Sequence, residues 1–420
     1  MIKFSFALVF VFSLIFDSSA QKTKEEFYKS LLGKDSLVDF VLKNRDKYRL
    51  QFIVTDIQRD KDGQEDFKTY DFTTDEYFYP ASMVKLPTAL AMFEIIDSLE
   101  ISRDSYIKMN KDFNCGSSAF VDLTLKRNIP ISLAIEDMLS ISDNAYYSLF
   151  FNVVTPKLLN YKLTERKLSK TNIYGGFTGC SRGKTLETHS YSIFSPDGSK
   201  QINVPKSELD SSEFMHRLPY TSKKLIGKYQ IENGKKVEKP YDFNSYLDYP
   251  LQDIHNTVFK LVFPHKVVSN ERFQLTFDSR KYLLKCMGNF PREMKNKAYH
   301  DKNLYPDNYY KYSIIGNKPE LATSGRYRIF SKIGIAYGFV TESAYVVDFE
   351  NQKDFLFSVS IYVNDNDIMN DNSYEYNKIA RPFIANFTRI IQDSLSKNSI
   401  EQTISSYDYF NLLKEIMSEN

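Results

Sequence analysis

Apolar positions along this chain change rhythm several times, and each change marks a new element. Between Glu25 and Lys43 they fall at helical intervals, after which Tyr48-Arg49-Leu50-Gln51-Phe52-Ile53-Val54 reads as a strand. Lys61-Asp62-Gly63 is a turn signal before a second strand, Phe67 to Phe72, which predicts an antiparallel pair. Leu86, Ala89, Leu90, Phe93 and Ile96 then recur at the spacing of a buried helix that opens just after Ser82. Pro87 removes one backbone donor from that helix and costs least in its first turn.

Residues from about 100 to 165 are mostly helical in pattern. The stretch Ile135 to Phe151 is broken by Ser142-Asp143-Asn144, residue types whose side chains bond to neighbouring backbone groups. From about 172 to 250 the texture turns to Gly, Ser, Lys and Tyr, and Tyr229 to Val237 predicts a hairpin on Asn233-Gly234. A helical texture returns from Leu251 to about Met294, followed by strand patterns at Arg326 to Ile335, Ala344 to Phe349 and Phe355 to Val363. Ile379, Phe383, Phe387, Ile390 and Ile391 predict a last helix with one buried face.

Strands at both ends enclosing a helical middle predict an α+β fold. Its antiparallel sheet, flanked by N- and C-terminal helices, would be assembled from residues 21–80 and 316–395. Residues 81–315 would form an inserted helical lobe carrying the partly β segment at about 172–250, with 396–420 as a C-terminal tail.

Composition narrows the function. The 420 residues are 42% hydrophobic and 26% charged, as in a globular chain able to bury one large core or two modest ones. Lys+Arg 55 against Asp+Glu 53 gives a net charge of +2, which argues against nucleic acid or an anionic membrane surface as partner. Five histidines show no HxH, HxxxH or HExxH grouping, so neither a metal nor another cofactor is expected. Three separated cysteines, Cys115, Cys180 and Cys286, allow at most one intramolecular disulfide. The 30 Tyr and 33 Phe are read as core packing.

Lys3 ahead of the apolar run Phe4 to Phe16, then Ser18-Ser19-Ala20, reads as a signal peptide cleaved after Ala20. The run is too short for the roughly 20 residues of a spanning helix. A secreted or periplasmic protein with no stable membrane span is expected, and a monomer.

The chemistry lies in Ser82-Met83-Val84-Lys85 and Ser142-Asp143-Asn144. A serine hydroxyl is a weak nucleophile until a base takes its proton, and three residues apart on a helix the Lys85 amine could reach it if burial lowered its pKa. SxxK alone is a weak signal, for Ser19, Ser105, Ser181 and Ser394 also have a lysine three residues on. Ser82 differs because it opens an apolar helix after a strand pair and precedes Ser-Asp-Asn by 60 residues.

On these motifs the chain resembles class A β-lactamase-type serine hydrolases, and is similar also to low-molecular-weight penicillin-binding proteins, in which SxxK, SDN and K-[ST]-G occur in this order. The resemblance covers most of residues 25 to 395. It implies a β-lactamase/transpeptidase-like fold, with Ser82 as the acylated nucleophile, Lys85 as its base or proton relay, Ser142 passing a proton toward the leaving nitrogen and Asn144 holding Lys85 and the substrate amide. It implies a small β-lactam or peptidoglycan-derived substrate, with a non-turning-over penicillin or cell-wall binder, or a D-alanyl carboxypeptidase or esterase, as alternatives.

Two departures stand out. Lys332-Ile333-Gly334 occupies the right kind of strand but carries Ile where the family has a hydroxyl that binds the substrate carboxylate. By resemblance Lys332 would supply charge, Gly334 close approach, and the Ile335 N–H, with that of Ser82, an oxyanion hole. An ordinary strand lysine beside a glycine, and an SDN that merely caps a helix, are the bland alternatives. No ExxLN pattern supplies the glutamate that activates water in class A enzymes, and Glu165 and Glu187 read as solvated charges.

Overall fold

The computed structural model describes residues 22–60, 63–110, 128–177, 188–206, 224–244, 247–395 and 404–418. The expected leader, Cys115, Cys180 and Glu187 lie outside the described residues.

The helical stretch expected at the N-terminus is two helices, α1 (Lys24–Leu31) and α2 (Ser36–Lys43). The break has local causes. Gly33 takes φ +76°, and the Asp35 carboxylate caps α2 by accepting from the amides of Leu37 and Val38, both at 2.9 Å. The hairpin β1 (Gln51–Arg59) and β2 (Glu65–Asp71) follows, then a tight turn over Ala81–Val84 that runs into α3 (Lys85–Ser98). Pro87 falls in the first turn of α3, where it is tolerated.

The lobe then holds β3 (Tyr106–Met109), α4 (Ile131–Ser140), α5 (Asn144–Val154) and α6 (Pro156–Glu165). The helical pattern expected there misses β3, whose four residues are too few to show an alternation. In the segment at 172–250, β4 (Tyr191–Phe194) and β5 (Gln201–Val204) extend β3 into a small antiparallel sheet. Two-residue strands β6 (Leu225–Ile226) and β9 (Tyr241–Asp242) pair around the hairpin β7 (Tyr229–Glu232) and β8 (Lys235–Val237), which turns at Asn233-Gly234. Helices α7 (Leu251–Val262) and α8 (Phe277–Gly288) close the lobe.

Three long strands, β10 (Tyr327–Ala336), β11 (Phe339–Asp348) and β12 (Lys353–Tyr362), form a meander, and β13 (Ile368–Met369) pairs in parallel with β7. A π-helical turn over Tyr376–Ala380 leads into α9 (Arg381–Ser394), and the stretch expected to be a tail contains α10 (Ile404–Ser418). Among the described residues no helix is long and apolar enough to cross a membrane.

The main sheet has the order β10-β11-β12-β1-β2, so the N-terminal hairpin joins the edge of the C-terminal meander. Both faces are covered, which is why the meander strands read as near-continuous apolar runs. Phe52, Val54, Ile329, Ile333, Phe357 and Phe387 belong to a core with the terminal helices α1, α2 and α9. Ile53, Phe330, Tyr345 and Leu356, from alternate positions, belong to a second core with α3, α5, α7 and α8. Each fully buried Phe or Leu contributes roughly 1.5–3 kcal/mol. The fold is α+β, with a helical lobe inserted between sheet segments.

Candidate functional site

The site forms where β10, the edge strand, passes the turn before α3. Ala81 takes φ 47°, a left-handed conformation unusual for a residue with a Cβ and costing roughly 1–3 kcal/mol, and this bend presents Ser82 at the surface of the joint. Gly334 is needed on the facing strand. A Cβ there would collide with the Pro80 carbonyl oxygen and lie 3.0 Å from the Ser82 nitrogen.

Lys85, one turn on, is buried, and its Nζ lies 2.9 Å from Ser82 Oγ. It also lies 2.5 Å from the Ser142 carbonyl oxygen, 3.0 Å from Ser142 Oγ and 2.7 Å from Asn144 Oδ1. Burial lowers the Lys85 pKa to about 7, while the Asp143 carboxylate pulls it upward. This neutral form has a definite geometry. A carbonyl and a carboxamide oxygen can only accept, so the two N–H bonds of a neutral amine go to Ser142 O and Asn144 Oδ1. The lone pair is left for a serine hydroxyl.

The SDN segment sits between α4 and α5, with Ser142 at φ 63°. Capping and cleft roles coexist there. Asp143 caps α5, accepting from the Tyr146 amide at 2.8 Å, while Ser142 and Asn144 turn to Lys85. Lys332, buried on β10, donates to Ser142 Oγ at 2.9 Å and to the Ile333 carbonyl at 3.0 Å. Burial, with Lys85 and Lys311 nearby, pushes its pKa well down. Ser142 Oγ therefore stands between two lysine amines, an arrangement that can hand a proton from one nitrogen to a group in the cleft.

The cleft itself, about 510 Å³, is lined by Ser82, Asn144 and Ile335 from the motifs, by Tyr79 and Phe177, and by Tyr337, Asn370, Asn372, Tyr374 and Tyr376. Ser82, Lys85, Ser142, Asn144, Lys332, Gly334 and Ile335 are thus brought together from three separate stretches of chain.

Residues 35–200 match the model of the beta-lactamase enzyme family. The matched stretch holds both Ser82-Met83-Val84-Lys85 and Ser142-Asp143-Asn144. Solved structures similar to it include TLA-3 extended-spectrum β-lactamase, at 16% identity over 86% of this chain and 99% of that one with a TM-score of 0.47. The β-lactamase of Sphaerobacter thermophilus is 13% identical over 87% and 97%, TM-score 0.48. A class A β-lactamase of Bacteroides cellulosilyticus is 12% identical over 89% and 99%, TM-score 0.48. No curated protein sequence matches the chain.

The candidate site has features the motifs do not announce. The segment at 172–250 builds one of its walls, as the Tyr241 and Phe243 rings pack on Tyr337 with centroids 5.1 and 5.4 Å apart. β7 holds the opposite loop through Ile368 and Met369, beside Asn370. Asn370 and Asn372 take φ of 62° and 59°, the left-handed turn conformation asparagine tolerates, which is the sequence signal that could have marked this loop. Phe177 was also missed. The Lys85 Nζ lies 5.6 Å from its ring centroid, and its amide donates to Ser148 Oγ at 3.0 Å. Glu165, by contrast, ends α6 as an exposed carboxylate beside Arg166. Among the described residues no carboxylate bonds to Ser82 or Lys85.

Proposed function

We propose that this protein is an exported serine acyl hydrolase that opens a β-lactam ring, or a related amide or ester, through an acyl-Ser82 intermediate. The observation that carries this reading is the Lys85 amine 2.9 Å from Ser82 Oγ, with its pKa lowered to about 7 by burial. In acylation the Ser82 hydroxyl proton passes to the Lys85 lone pair as Oγ bonds to the acyl carbon. The Ser82 and Ile335 amides receive the oxyanion. On collapse the C–N or C–O bond breaks, and the leaving atom takes its proton from Ser142, which is resupplied from Lys85. Lys332 orients Ser142, and Asn144 holds Lys85. Water then hydrolyses the ester and restores Ser82. The leader-like residues 1–20 support export.

One observation favours a second reading, acylation with little turnover. The face of Phe177, an aromatic ring that can activate no water, covers Lys85 on the cleft side. Intact-protein mass spectrometry after exposure to β-lactams and activated esters tests both readings. A stoichiometric adduct mapping to Ser82 and absent in Ser82→Ala is expected, and its decay rate separates hydrolase from binder. No adduct with any acyl donor, from folded protein, removes the first reading.

A further inference from the structure

The wall chemistry of the cleft narrows the acyl donor, on the premise that Ser82 is acylated. We infer that the site selects donors with no carboxylate beside the scissile bond, namely neutral esters or amides whose hydroxyl and carbonyl groups meet phenols and carboxamides.

Three observations converge. None of the described residues lining the cleft carries a charge; the polar lining is Ser82, three asparagines and four tyrosines. A carboxylate entering such a site leaves its hydration shell without meeting an opposite charge, whereas a neutral ester or amide gives up far less. Second, the cation that could compensate is occupied. Lys332 is buried, bonded to Ser142 Oγ and to the carbonyl of its own neighbour, and absent from the cleft lining. Third, the strand position that would offer a hydroxyl is Ile333, whose side chain is 1% exposed and belongs to the core under the terminal helices.

What the walls do offer is shaped for uncharged groups. Tyr337 packs edge-to-face with Tyr79 at 5.2 Å, giving an aromatic surface next to the Ser82 turn. Tyr374 and Tyr376 use their oxygens to accept from the amides of Asn370, at 2.9 Å, and Gly338, at 2.8 Å, which fixes the opposite wall. Their hydroxyl protons remain as donors for a carbonyl or hydroxyl of the acyl donor.

A chromogenic cephalosporin tested as the free acid and as its methyl ester isolates this point, because the two share ring, side chain and leaving group. On the full chain, with each rate divided by that compound's hydroxide-catalysed rate, the ester is expected to acylate Ser82 at least tenfold faster. Equal rates, or a faster acid, would overturn the inference while leaving the acyl-Ser82 reading intact. Ala336→Arg puts a cation on the wall and is expected to raise the acid's rate relative to the ester at least fivefold. If that variant fails to fold, Asn372→Lys serves on the opposite wall, and an unmoved ratio in a folded variant also overturns the inference. No adduct from either compound removes the acyl-Ser82 reading and this inference with it.

Discussion

Among the described residues, Ser82 and Thr55 each set a hydroxyl beside a nitrogen base whose pKa burial lowers, yet their surroundings differ. At Ser82 the base is Lys85, held by two obligate acceptors so that its lone pair faces a serine at the mouth of a cleft. On the far part of the sheet His255 of α7 bonds through Nε2 to Thr55 Oγ1 at 2.9 Å and through Nδ1 to Ser358 Oγ at 2.8 Å. A motif search by distance alone would accept the second pair as readily as the first.

The His255 group is architecture. Ser358 is fully buried, and its hydroxyl is shared with Ser343 at 2.8 Å, while Thr55 bonds also to Thr69 at 2.8 Å. A cavity of about 400 Å³ reaches the histidine and Thr55 but not Ser358. Burial pushes the His255 pKa down to about 4, so the ring sits neutral as a clamp between β1 and β12. Reactivity therefore requires a base near neutrality, an accessible hydroxyl and a place for the acyl group, and of these two groups the one at the Ala81 turn combines them.

The sharpest way to break the contrast is to remove the two serines in turn. Ser82→Ala is expected to abolish the covalent adduct and lower acylation by about 10³-fold or more, whereas Ser358→Ala should leave the rate within about twofold. A comparable loss in both, measured by adduct formation, would erase the distinction. Next in size is Gly334→Ala. A methyl group against the Pro80 carbonyl must push β10 from the Ser82 turn, with an expected cost of about 1–3 kcal/mol in urea denaturation and a larger fractional loss of acylation.

The two bases should also separate on the pH axis. Lys85 is protonated below about pH 7, so acylation is expected to fall tenfold per unit below that point. His255, with a folded pKa near 4 against about 6.5 when unfolded, acts on stability instead. Between those values the unfolded chain binds more protons, so stability falls as pH drops from about 6.5 to 4, by on the order of 3 kcal/mol in total. Acylation about tenfold below its plateau at pH 6, with most of the His255 contribution to stability still in place, is the expected pattern. The smallest effect belongs to Asp143→Asn. It keeps the cap on α5 but removes the charge that raises the Lys85 pKa, so the acid limb of acylation should move to lower pH by a few tenths.

Periodicity revealed the sheet strands and the lobe helices well, because both sheet faces are buried and the cores demand apolar residues at nearly every position of β10 to β12. It failed where elements are short or capped. The break at Leu32 to Asp35 depends on one glycine and one capping carboxylate, and β3 spans only four residues. In the site, Ser82, Lys85, Ser142, Asn144, Lys332 and Gly334 were legible since each must be a particular residue type at a particular distance along the chain. Phe177 and the Asn370 to Tyr376 wall were not, because tertiary pairing of β7 with β13 decides which generic aromatics and amides face the cleft.

The order of strands in the main sheet governs when this molecule becomes chemically dangerous to its surroundings. Ser82 and Lys85 leave the ribosome early, but the strand that braces their turn is still some 250 residues from being synthesised. Until β10 arrives, the lysine is hydrated and charged and the serine is an ordinary alcohol. A nascent chain thus carries Ser82 in an inert form, and arming coincides with completion of the fold.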